Sequence, residues 1–221
     1  MMMELNITVD NIKYSGIIIQ IITAIVASIY YYKYKNSFTK YLLLLLWYTA
    51  LNDIVAGLYS INISKYNAPF YNVFQLIFTI YYLSLYKTVV ESLRFKKAIS
   101  YFVFIYLVSF LVALVVDNFF QYHLSLSYIT GSILIVTSII LFFSEILNSD
   151  KIIRINKMLM FWVSIGLLIS LLPDIPFDVI RKYYAKSPTI PYIYVVSYLL
   201  FITYNLLLIS GFIWSEKQQK H

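Results

Sequence analysis

The chain has 221 residues, 61% of them hydrophobic and only 12% charged, with a net charge of +7 and a mean hydropathy of +0.77. A water-soluble domain carries about a quarter of its residues as charges, so this composition excludes one and points to lipid as the main solvent. Cysteine is absent, which removes disulfide staples, thiolate metal sites and thiol nucleophiles.

Seven apolar segments follow one another, at about 14–32, 41–60, 69–86, 98–116, 124–147, 158–180 and 192–214. Each is near the ~20 residues needed to cross hydrocarbon. In lipid every backbone donor and acceptor must be paired within its own segment or in a closed barrel, and segments of this length without two-residue alternation are helices. The expected fold is therefore all-α, a single seven-helix transmembrane domain over 1–221. The opening MMMELNITVDN carries two acids and no basic residue, so the first span is expected to be an anchor with a translocated tail rather than a cleaved signal peptide.

The seventeen basic residues set an expected orientation. Twelve lie after the first, third, fifth and seventh segments: Lys33, Lys35, Lys40, Lys87, Arg94, Lys96, Lys97, Lys151, Arg154, Lys157, Lys217 and Lys220. The other side has five, Lys13, Lys65, Arg181, Lys182 and Lys186. By the positive-inside rule the N-terminus is outside and the C-terminus cytoplasmic. The positive charge then reads as topology and attraction to anionic headgroups, at about 1 kcal/mol per juxtamembrane basic residue, and not as a nucleic-acid surface. Tyr30, Tyr31, Tyr32, Tyr34 and Trp214 fit an inner aromatic belt, and Phe119, Phe120, Tyr122, Tyr183, Tyr184 and Tyr192 an outer one.

Polar residues inside the spans fall on shared faces at helical spacing. Gln20 lies with Gly16, Thr23 and Ala27 on the first span. On the second, Asp53 lies with Thr49, Ala56, Gly57 and Ser60, with Asn52 beside it. Asn72, Gln75, Thr79 and Tyr82 share a face of the third, and Gly166, Ser170, Asp174 and Asp178 one of the sixth. Asn205 sits in the seventh. Gln20, Asp53, Asn72, Gln75 and Asp174 fall about 6 to 12 Å from the expected outer ends at 1.5 Å per residue, in one layer. The fourth span has no comparable face and is expected against lipid. Pro173 and Pro176 flank Asp174 in LLPDIPFD; each removes a backbone donor, so a kink or opening is expected beside the carboxylate. These features define a hypothetical outward-facing pocket of Asn52, Asp53, Asn72, Gln75, Asp174, Gln20 and Asn205. The competing reading is structural: amides in bundles more often hydrogen-bond neighbouring helices, at about 0.6 kcal/mol each, and Arg181 or Lys182 can pair with Asp174 and Asp178.

Catalytic and metal constellations are missing from the sequence. The only histidines are His123 and His221, so an intramembrane serine protease or a histidine metal site has no parts. No lysine sits within the last span for a retinal, and five glycines form no phosphate loop. No catalytic residues, metal or cofactor are expected. An Asp53–Asp174 pair leaves intramembrane lipid hydrolysis as a third reading.

Three stretches carry a family resemblance: NAPFYNVFQLIFTIYYLSLY at 67–86, FWVSIGLLISLLPDIPF at 161–177 and YNLLLISGFIWSEK at 204–217. The first resembles an Asn-x-Pro-x-Tyr-Asn entry to a third span, and the last an exit into a basic tail. Both are features of small bacterial seven-span membrane proteins similar to the membrane-sensing halves of sensor histidine kinases, without the kinase. The resemblance implies a sensory or accessory protein of the inner membrane, with the bilayer and a membrane kinase or other membrane subunit as partners, and it brings no catalytic residues. Transport of a small solute is the alternative.

Overall fold

A computed structural model describes residues 2–64, 66–184 and 190–217, with side chains from Ser15 onward except that of Lys151. Of the basic residues counted above, Lys65, Lys186 and Lys220 lie outside the described residues, as does His221; the side chains of Lys13 and Lys151 do as well. The described residues are helical and contain no strand. Among the described residues there are seven α-helices: α1 (Met2–Ile29), α2 (Lys40–Asn62), α3 (Ala68–Val89), α4 (Leu93–Val116), α5 (Ser125–Leu147), α6 (Leu159–Tyr183) and α7 (Ile190–Trp214). Tight 3-10 turns cover Tyr31–Lys33 and Asp150–Lys157.

Their ends follow local chemistry. Pro69 sits in the first turn of α3, where its missing N–H has no helical partner to lose. α4 begins five residues before the expected Ala98 because LRFKK, although charged, continues the helix. α6 runs through Pro173 and Pro176 as one helix, so the expected opening does not occur. The carbonyls of Ile169 and Leu172 lose their i+4 donors, and packing of α6 on α7 holds the remaining turns.

Among the described residues α2, α4, α5, α6 and α7 are long and apolar enough to cross a membrane. They mark the chain as a multi-pass membrane protein. The apolar part of α1 with described side chains, Ser15–Ile29, is shorter. α3 has 22 residues, about 33 Å at 1.5 Å each, but Asn72, Gln75, Lys87 and four tyrosines reduce its hydropathy.

The chain divides into two compact units. One comprises Met1–Ala50 and Asn156–His221, the other Leu51–Ile155; the boundary falls inside α2. In the first unit α7 packs against both α1 and α6, burying Ala24, Ala27, Val163, Leu167, Leu208 and Phe212. Glycines set the α6–α7 approach. A Cβ on Gly166 would lie 2.8 Å from the Tyr204 ring, and one on Gly211 2.6 Å from Trp162 Cβ. Small residues admit such proximity in membranes, where dispersion rather than water exclusion drives helix association.

In the second unit α3, α4 and α5 pack on one another. Their core is Tyr82, Leu83, Tyr86, Tyr106, Ile135, Ile139 and Phe142. α4 turns Ile99, Tyr106 and Ala113 inward and leaves Tyr101, Phe104, Leu111 and Val115 exposed, a surface suited to lipid.

The two kinds of glycine give opposite expectations. Gly211→Ala should lower stability by about 1–3 kcal/mol, since Trp162 Cβ is held by its own backbone and the helices must separate. Gly57→Ala meets nothing within 4 Å and should be neutral or stabilising by up to ~1 kcal/mol through helix propensity. Thermal unfolding of both variants in the same detergent distinguishes them.

Candidate functional site

Asp174 and Arg181 lie two turns apart on one face of α6, and the structure joins them. Arg181 Nη2 donates to Asp174 Oδ1 at 3.0 Å, and Arg181 Nη1 donates to Ser197 Oγ of α7 at 3.1 Å. Ser197 Oγ in turn donates to Asp174 Oδ1 at 2.9 Å, closing a three-membered ring of hydrogen bonds. Asp178, one turn before Arg181, adds a weaker pairing at 3.8 Å. The guanidinium carbon also stands 5.8 Å from the Tyr194 ring centre, within cation–π range. Both charged side chains keep about a fifth of their surface accessible, 18% for Arg181 and 20% for Asp174. A pair at such a boundary escapes most of the desolvation cost of a buried one and stays reachable by a charged solute.

Asn72 is used differently. Fully buried on α3, its Nδ2 donates to the carbonyls of Phe119 and Tyr122, both at 3.0 Å, and its Oδ1 accepts from the Leu124 N–H at 3.1 Å. One amide thus fixes the turn between α4 and α5. Gln75, one turn further along the same face, is also buried; neither atom of its side-chain amide has a hydrogen-bond partner. The nearby Tyr106 phenol donates to the Gln75 backbone carbonyl at 3.3 Å.

The remaining expected site residues are placed as follows. Gln20 is buried on α1 and Asn52 on α2, while Asp53 is half-buried. Asn205, 1% exposed, donates to the Phe201 carbonyl of its own helix at 2.9 Å. Gln20, Asp174 and Asn205 belong to the first unit and Asn52, Asp53, Asn72 and Gln75 to the second. Among the described residues no group of three His, Asp or Glu side chains assembles a metal site.

Two roles escaped the sequence. Lys33, counted there only as a topology charge, closes the end of α7: its Nζ donates to the carbonyls of Phe212, Ile213 and Ser215 at 3.0, 2.8 and 2.8 Å. A cation there complements the partial negative charge of a helix C-terminus. Burial, and secondarily the charge of Lys157, lowers its pKa from the ordinary lysine value. Beside it Tyr34 donates to the Ala27 carbonyl at 2.6 Å, and burial keeps this phenol neutral well above its ordinary range. Glu145, near the end of α5, accepts the backbone N–H groups of Glu91 and Ser92 at 2.7 and 3.1 Å, ahead of α4. A carboxylate suits that end of a helix.

Compared with known proteins, the chain matches no protein family, no curated protein and no solved structure.

The Asn72 contacts predict a local and a global effect. Asn72→Leu leaves two carbonyls and one N–H without partners and should cost about 2–4 kcal/mol. Limited proteolysis should cut faster between Asp117 and His123 in this variant, and thermal unfolding should occur at lower temperature.

Proposed function

We propose that the chain is a seven-span protein of a bacterial-type inner membrane, N-terminus outside and C-terminus cytoplasmic, acting as a non-enzymatic sensor or accessory subunit. The observation that carries this reading is the accessible Asp174–Arg181–Ser197 ring, which ties α6 to α7. With the orientation set by the basic loops, the ring lies at the outer ends of these helices. A small carboxylate competing with Asp174 for Arg181 releases α6 from α7 there, so binding and helix contact are alternatives in one equilibrium. α7 carries the change to its opposite end, where Lys33 holds it and where a partner such as a membrane histidine kinase receives it.

Cysteine-free sequence gives a clean background for testing the orientation. Asn118→Cys on intact cells should react with a membrane-impermeant maleimide, and Ser149→Cys only after permeabilisation; the reverse pattern overturns the assigned orientation. For the sensor reading, Trp162 and Trp214 stack edge to face with centres 5.2 Å apart at the far end of α6 and α7. In a Trp47→Phe background in nanodiscs, acetate should shift their emission, and Arg181→Gln should abolish the response. Emission unaffected by acetate in the parent protein refutes coupling through Arg181.

A further inference from the structure

The charges around Arg181 are balanced before any ligand arrives. Asp174, Asp178 and Arg181 follow one another on α6 at spacings of four and three residues, on one helical face, and Lys182 comes next in the chain. This short stretch therefore holds two acids and two bases. Arg181 Nη2 lies 3.0 Å from Asp174 Oδ1 and 3.8 Å from Asp178 Oδ1. The Asp178 side chain is 7% accessible, against 20% for Asp174 and 18% for Arg181. Partner exchange thus belongs to Asp174 and Arg181, with Asp178 as a fixed negative charge beside them.

A simple carboxylate that takes Arg181 from Asp174 makes one ion pair by breaking another. It deprives Asp174 of its guanidinium and brings a third negative charge next to two carboxylates, which like-charge repulsion opposes. A ligand that also carries an ammonium removes both costs, because it supplies a cation to Asp174 and adds no net charge. Asp174 and Arg181 are in direct contact, so a ligand that bridges them needs its two opposite charges close together. The Tyr194 ring, 5.8 Å from the guanidinium carbon, offers a face that attracts either cation. Ser197 Oγ donates to Asp174 Oδ1 and holds that carboxylate at the point of exchange.

Resting on the carboxylate reading of this ring, we propose that its ligand is a zwitterion of the α-amino acid class. The ligand carboxylate replaces Asp174 on the Arg181 fork, which turns away from Ser197, and the ligand ammonium replaces Arg181 on Asp174. The α6–α7 link through Arg181 opens with every charge still matched.

Glycine is acetate with an ammonium on its methyl carbon, so the two form a minimal pair. Saturation-transfer NMR titrations of each against the full chain in nanodiscs, at constant ionic strength and with empty nanodiscs subtracted, test the assignment. Glycine should bind about fivefold more tightly than acetate, the worth of one partly exposed ion pair. Asp174→Asn keeps the shape and removes the charge; it should cost glycine that advantage and leave acetate bound as well or better, because Arg181 has lost its nearest competitor. If this variant does not fold, the ratio in the unmodified chain decides alone. Equal affinities for the two ligands, both lost in Arg181→Gln, overturn the amino-acid assignment and leave the carboxylate reading standing. A glycine advantage that survives Asp174→Asn overturns it as well. Binding of neither ligand refutes the carboxylate reading, and this assignment with it.

Discussion

In hydrocarbon a backbone carbonyl or a side-chain amide cannot turn to solvent, and every such group must find its partner inside the protein. The polar contacts of this chain follow from that constraint. Two carbonyls before α5 are answered by Asn72, three at the end of α7 by Lys33, and two N–H groups before α4 by Glu145. In each case one side chain from a distant part of the sequence closes the end of a helix or turn. The helices are consequently joined at their ends by polar clamps, while between the ends they rely on small residues and dispersion.

The same constraint separates two uses of polarity. Asn72 and Asn205 make hydrogen bonds wholly within the protein. Arg181 and Asp174 bond to each other and to Ser197 but keep part of their surface accessible. A fully buried polar contact stabilises without being available to a ligand, whereas a partly accessible ion pair can exchange partners. That difference is why the end of α6, and not the amide layer as a whole, is the better place to seek a response to the environment.

The helices were legible because their apolar runs are long and bounded by charge. The end of α5 at Leu147 and of α7 at Trp214 coincide with the expected boundaries; α4 starts early where the charged turn LRFKK continues the helix, and α1 ends at Ile29, three residues short of the expected end. The candidate site was less legible, for a physical reason. Side-chain periodicity shows which residues share a face, but Asn72 and Lys33 bond to main-chain carbonyls, which carry no sequence signature. The Arg181–Asp174 pairing was visible, since residues seven apart lie on one helical face. Ser197 was not, because only the packing of α6 on α7 brings it there. The prolines misled in the opposite direction: their effect on the backbone is certain locally, but neighbouring helices in a membrane can sustain a helix across a missing hydrogen bond.

The clamp between Lys33 and α7 spans 180 positions of sequence, and this affects the order of assembly. One unit draws on both ends of the chain, whereas the other is the uninterrupted stretch Leu51–Ile155. At a synthesis rate of about 5–20 residues per second, α1 waits roughly 10–40 s for its last partner. Throughout that interval Gln20 and Lys33 are already in place while the carbonyls and apolar surface that α7 supplies do not yet exist. The middle of the protein can therefore mature first, and the ends close afterwards as a late, long-range step exposed to membrane chaperones.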